Sequence, residues 1–140
     1  MQIIVSGHGH FATGLQSNIK LLAGDLPGLS FVDFTGEMDE QQLAAKFTSL
    51  LEKDDQALFF CDLLGGTPYK QAVLLTRNFP QIAIVAGCNV GSLLEICVAG
   101  DWQKESPTAL GEKFVIVSQQ ATKMFHHRHV QTEPEDGDGI

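Results

Sequence analysis

The sequence predicts an α/β domain in which helices cover both faces of a parallel sheet. Two observations carry that prediction. Short, near-continuous apolar runs alternate with longer segments whose apolar residues recur every three or four positions, in the order βαβαβαβα. Glycine-rich loops follow three of the runs, at residues 6–10, 62–67 and 87–91, where a parallel strand turns into its helix.

The elements follow in order. Ile3-Ile4-Val5 reads as a short buried strand. The next helix carries Phe11, Leu15, Ile19 and Leu22 on one stripe, with Gly24 as its C-terminal cap and Pro27 just beyond. Residues 29–34 (LSFVDF) form a second strand, with Asp33 a solvated residue at its end. Asp39 and Gln42 match a capping box and open a helix with Leu43, Phe47 and Leu50 on one face. Residues 57–61 (ALFFC) are a third strand, ending at Asp62. Thr67-Pro68 supplies an N-cap followed by a proline in the first helical position, for a helix reaching about Asn78. Residues 82–86 (IAIVA) are the fourth strand, and a short helix runs from Ser92 to about Ala99. Ser106-Pro107 repeats the cap signal and opens a last helix with Leu110, Phe114, Val117, Ala121 and Met124 on one face. Trp102 suits core packing and a surface contact equally.

A chain of 140 residues fits one domain, here 1–128, followed by a tail at 129–140. Four of its acids crowd into Glu133–Ile140, a segment without Lys or Arg. A formal net charge of −8 with no basic cluster argues against a nucleic-acid partner. No apolar run reaches the roughly 18 residues of a membrane helix and no signal peptide is visible, so a cytoplasmic location is expected. Cys61, Cys88 and Cys97 lack metal-site spacing and lie in apolar runs, as free thiols of a reducing compartment do. His126, His127 and His129 have no acid or cysteine spaced beside them and read as cations at a helix C-terminus, so no metal site is expected.

In an open parallel sheet, ligands bind beyond the carboxyl ends of the strands, at the point where strand order switches. The three glycine-rich loops lie there, and each precedes a helix whose free N–H groups and dipole end suit an anion, phosphate first. The first loop, Gly7-x-Gly9 with its next glycine at Gly14, misses the dinucleotide fingerprint, and no Lys-Ser or Lys-Thr follows any glycine run. What remains is an imidazole beside a phosphate-sized pocket. A neutral imidazole is a good nucleophile near pH 7 and holds a phosphoryl group covalently. It works best when a carboxylate takes its Nδ1–H, and Asp62 is the acid placed for that. Thr67 offers a hydroxyl, and the backbone of Leu63, Leu64, Gly65 and Gly66 offers N–H groups.

Gly7-His8-Gly9 with Ala12 and Leu15, then Asp62-Leu63-Leu64-Gly65-Gly66-Thr67-Pro68, then Ala86-Gly87-Cys88-Asn89 resemble the mannose-type enzyme IIA of the sugar phosphotransferase system, over about residues 1–125. The resemblance implies a three-layer doubly wound fold with a four-stranded parallel sheet of order 2-1-3-4. It implies that His8 is phosphorylated, that Asp62 orients it, and that Thr67, Gly9 and residues 63–66 serve the phosphoryl group. It further implies phospho-HPr as donor, a IIB component as acceptor, indirect service to a membrane IIC/IID complex, and neither cofactor nor metal. A homodimer is implied too, with a C-terminal strand exchanged across it and residues 129–132 (HVQT) as the candidate antiparallel edge strand. His10 brings a second imidazole close to the site, read as lining rather than nucleophile. Asn89 reads as lining too, or as a turn residue with positive φ. Two other functions fit these residues: phosphoryl donation to a dihydroxyacetone kinase, and a non-catalytic module that binds an anion or a phosphorylated partner.

Overall fold

A computed structural model describes residues 1–128. Its elements are β1 (Gln2–His8), α1 (Phe11–Ala23), β2 (Leu29–Phe34), α2 (Glu40–Lys53), β3 (Ala57–Cys61), α3 (Thr67–Leu75), β4 (Ile82–Ala86), α4 (Val90–Ala99), a short 3-10 turn (Trp102–Lys104) and α5 (Pro107–Ala121). The four strands pair in parallel in the order β2-β1-β3-β4. This is the doubly wound sheet that the alternation and the resemblance led to expect. The candidate strand at 129–132 and the acidic tail lie outside the described residues.

Alternation along the strands builds the three layers. In β3, Leu58 and Phe60 point to one face, where Ile19 of α1, Leu93 and Ile96 of α4, and Leu110 and Phe114 of α5 pack. Ala57, Phe59 and Cys61 point to the other, against Leu43, Phe47 and Leu51 of α2 and Ala72 of α3. Phe60 meets Phe114 edge-on at 5.6 Å between ring centroids, and Phe59 meets Phe47 at 4.9 Å. Each fully buried phenylalanine contributes about 1.5–3 kcal/mol of transfer free energy, so the two faces of this one strand anchor both helical layers. Trp102 is 3% exposed and belongs to the core. Its indole crosses Gly28, where a Cβ would stand 2.9 Å from the ring.

Several local expectations change. β1 continues past its apolar residues: Ser6, Gly7 and His8 pair with Val32, Asp33 and Phe34. The ladder carries these residues, and the buried Ser6 hydroxyl donates to the Val32 carbonyl at 2.8 Å. His8 is therefore the last residue of a strand, not a member of a free loop. The capping box at Asp39 and Gln42 forms as expected, with Leu51 buried on the helix face. Thr67, however, is the first residue of α3, and Gly66, in extended backbone, takes the cap position without a side chain to cap with. Proline is tolerated in either of the first two helical positions, so Pro68 did not fix the frame. α3 ends at Leu75, short of Asn78, and α4 begins at Val90. α5 ends at Ala121, which leaves Met124 outside it and exposed. Among the described residues, no helix is long and apolar enough to cross a membrane.

Candidate active site

The order β2-β1-β3-β4 puts the switch point between β1 and β3. The helices that follow these two strands leave to opposite faces, α1 to one and α3 to the other. His8 and Asp62 stand there, each at the carboxyl end of its strand, and β1 and β3 are neighbours.

One carboxylate oxygen holds the histidine twice. Asp62 Oδ2 accepts the backbone N–H of His8 at 2.8 Å and lies 2.7 Å from Nδ1 of its ring. The other oxygen, Oδ1, accepts the N–H of Leu63 at 2.8 Å. Burial pushes the Asp62 carboxyl up, but the hydrogen bonds from His8 and Leu63 outweigh it, and the pKa lies below the ordinary 3.8. An ionised carboxylate has no proton to give, so the proton between them belongs to Nδ1. In the neutral imidazole, Nε2 then carries the lone pair. The His8 side chain is 43% exposed against 12% for Asp62, so the ring is held from within and open outward.

Two further groups shape the ring's place. Phe34, at the end of β2, meets it in a T-shaped contact with centroids 5.8 Å apart. Gly66 lies against its edge: a Cβ there would stand 2.9 Å from His8 Cε1, the carbon between the two ring nitrogens. Glycine at this position makes room for the imidazole rather than for a turn. The turn's positive φ belongs to Gly65, at +76°.

The donors expected from residues 63–67 are only partly free. The N–H of Leu63 is spent on Asp62, and that of Gly66 donates to the Leu63 carbonyl at 3.2 Å. Among the described residues, the N–H groups of Leu64 and Gly65 and the Thr67 hydroxyl have no acceptor within the protein. They stand at the start of α3, whose cap residue supplies no side-chain bond. Leu63 and Leu64 expose their side chains beside them.

The other candidates divide. His10 sits at the cap position of α1, and its Nδ1 lies 3.3 Å from Asp33 Oδ2 with the ring 86% exposed. Gly9 turns the chain with φ +59°. Asn89 does not adopt positive φ; that conformation falls to Gly87. Asn89 caps α4 through Ser92 N–H and donates to the Ser118 carbonyl and the Thr122 hydroxyl, so its side chain is committed to α4 and α5. Two participants were missed. Asp33 is not solvated: its side chain is 14% exposed and accepts the N–H and the hydroxyl of Thr13 at 2.9 and 2.6 Å. Phe34 was read only as strand, although its place beside the end of β1 follows once β1 is extended to His8. Burial holds Cys61 and Cys97 protonated, with pKa values pushed up to about 12. Among the described residues, no group of three or more His, Cys, Asp or Glu could hold a metal ion.

Fold and site together define a class: an open parallel α/β domain that presents an aspartate-held histidine beside an uncapped helix start. The chain belongs to the mannose-type IIA family of the sugar phosphotransferase system, whose model, described as "PTS system fructose IIA component", matches residues 2–113. It is 33% identical over 100 residues to the sorbose-specific EIIA component of Lacticaseibacillus casei, covering 70% of this chain and 72% of that one. It is 30% identical over 99 residues to the fructose-specific EIIA component of Bacillus subtilis (strain 168), covering 69% and 68%. The solved mannose/sorbose specific IIA subunit from Enterococcus faecalis superposes with a TM-score of 0.82 at 24% identity, over 93% of this chain and 98% of that one, which speaks to the fold. The protein is thus a IIA component of this system, a family of phosphotransferases acting in sugar transport.

Proposed function

We propose that the protein is a cytoplasmic phosphoryl carrier that takes phosphate from phospho-HPr on His8 and passes it to a IIB component. One observation carries the reading: His8 Nδ1 rests on Asp62 Oδ2 at 2.7 Å, which leaves Nε2 as the open nitrogen beside the start of α3.

In the first transfer, the Nε2 lone pair of His8 attacks phosphorus in line with the departing nitrogen of the donor. The N–P bond to Nε2 forms as the donor's N–P bond breaks, and the electron pair returns to the donor nitrogen. Nδ1 keeps its proton on Asp62, whose negative charge offsets the positive charge that develops on the ring. The phosphoryl oxygens take hydrogen bonds from the N–H groups of Leu64 and Gly65 and from Thr67, and the positive end of the α3 dipole faces them. Little covalent chemistry is asked of the protein, so positioning and electrostatics supply the catalysis. The second transfer is the same step in the other direction, onto IIB, with the chain acting at the inner face of the membrane through its transporter. In this reading residues 1–128 are the carrier domain, residues 129–140 are a tail that supplies an exchanged strand, and the working unit is a homodimer.

Radiolabelled phosphoenolpyruvate, enzyme I and HPr test this directly. The wild type and His10→Gln are expected to take up acid-labile, alkali-stable label, and His8→Gln none. Label lost only in His10→Gln would move the nucleophile. An unlabelled wild type beside labelled HPr would point instead to reversible anion binding or to another donor.

A further inference from the structure

α1 begins three residues after the phosphoryl-accepting histidine, yet its own cap residue does not cap it. His10 makes no side-chain bond to the helix start. The orphan N–H of Thr13 is satisfied from another strand: it donates to Asp33 Oδ1 at 2.9 Å, while the Thr13 hydroxyl donates to Oδ2 at 2.6 Å. The next residue along β2 continues the attachment. The Phe34 carbonyl accepts the N–H of Gly9 at 2.8 Å, and the Phe34 ring meets that of His8.

The end of β1 is therefore bracketed by two strand-end aspartates. Asp62, after β3, holds His8 itself. Asp33, at the end of β2, holds the segment that leaves His8, at the first turn of α1. We propose that Asp33 and Thr13 are positioning residues for phosphoryl transfer, fixing the start of α1 so that the His8 ring keeps its place between Phe34, Gly66 and Asp62. This rests on the reading of His8 as the acceptor. Neither residue touches the ring or the group transferred. Their effect passes through Gly9 and His10, and Gly9, at positive φ without a side chain, leaves that connection pliable. Burial works against the charge on Asp33, but the two bonds from Thr13 and the nearness of His10 outweigh it and hold the carboxyl below its usual range. A lost cap alone lowers stability and leaves the transfer step as it was. Misplacing a reacting nitrogen by an ångström costs up to about 10²-fold in rate. The two accounts therefore differ in what they move.

The test compares wild type with Asp33→Asn, Thr13→Val and Thr13→Ser. It follows phosphoryl uptake from phospho-HPr and the imidazole ¹⁵N spectrum of His8 in the unphosphorylated protein. Asp33→Asn and Thr13→Val are expected to lower kcat about tenfold at unchanged KM for phospho-HPr, with His8 nitrogen resonances broadened or shifted, while Thr13→Ser restores both. Wild-type kcat in folded Asp33→Asn or Thr13→Val overturns the proposal. So does a slower transfer with the His8 spectrum unmoved, the result expected of a purely structural cap. If Asp33→Asn does not fold, Thr13→Val, which keeps the side-chain shape, decides alone. If the wild type itself takes no label, the carrier reading falls, and the His8 spectra still decide whether Asp33 and Thr13 position the ring.

Discussion

The starts of α3 and α4 both lie at the carboxyl edge of the sheet, directly after a glycine at positive φ and a short loop, and they are built in opposite ways. At α4 a side chain makes the cap, and the polar side chains around it bond to one another. Asn89 Oδ1 accepts the Ser92 N–H at 2.9 Å, its amide donates to the Ser118 carbonyl and the Thr122 hydroxyl, and the Ser118 hydroxyl donates to that of Ser92 at 2.8 Å. At α3 the cap is a glycine, and among the described residues the N–H groups of Thr67 and Tyr69, those of Leu64 and Gly65 in the loop before them, and the Thr67 hydroxyl have no acceptor. The first N–H groups of any helix need partners from outside the helix. A start that a side chain caps is a structural joint; a start without one keeps its N–H groups and its dipole for a ligand. The open one stands beside His8, and α1 and α2, which start at this edge too, are capped by Asp33 and Asp39.

The largest effect should come from the carboxylate that makes His8 part of the open start. Asp62→Asn keeps the shape but removes the charge, and its amide no longer fixes the proton on Nδ1. Initial rates of phosphoryl uptake should fall about 10²-fold. A rate near wild type would mean that the α3 start alone carries the step. The same variant should change the pH dependence of folding. The Asp62 pKa is lowered in the folded protein, so its stabilising contribution is full above the unfolded value of 3.8 and is lost as pH falls through the lower folded value. Acid unfolding of Asp62→Asn, followed by circular dichroism, should lack that component.

Gly66→Ala is the next test and acts on geometry alone. Gly66 has φ −70°, which alanine adopts freely, so the backbone is not strained. The new methyl would stand 2.9 Å from His8 Cε1 and 3.3 Å from Leu63 Cβ. The ring must move, and transfer should slow by about tenfold or more while the thermal midpoint stays near that of wild type. Unchanged transfer would show that the ring has slack that the static contacts do not suggest.

How much of this was legible in the sequence depends on the range of each interaction. The strand order, and His8 and Asp62 on either side of the switch point, were within reach because each sits at the end of an apolar run inside a motif that resembles a family. Local capping chemistry was legible where the partner is three residues away, as with Asp39 and Gln42. It misled where two frames were equally good, as at Gly66, Thr67 and Pro68. Asp33 was illegible for the opposite reason. Its partner Thr13 lies twenty residues away, joined to it only by the pairing of β1 with β2, and an aspartate at a strand end carries no mark of whether it meets water or another helix's N–H. Phe34 hid in the same way, since its contact with His8 needs the register that pairs the two residues.

The smallest effect on transfer should come from the closed start. Asn89 lies in the motif that resembles the family and follows a strand at the same edge as His8, so sequence reasoning counted it among the site-lining residues. In the structure its three side-chain bonds run to Ser92, Ser118 and Thr122, tying α4 to α5. Asn89→Ala should therefore cost about 1–2 kcal/mol of stability through the lost cap and the lost bonds to Ser118 and Thr122. Phosphoryl uptake by the folded protein should stay within about twofold of wild type, because a joint on the far side of β4 moves neither His8 nor the start of α3. Urea midpoints and uptake rates measured on the same samples separate the two quantities. A fall in uptake out of proportion to the fraction unfolded would put Asn89 back in the site. It would also mean that a closed helix start can serve the ligand through the joint it makes, so the contrast between α3 and α4 would be one of degree.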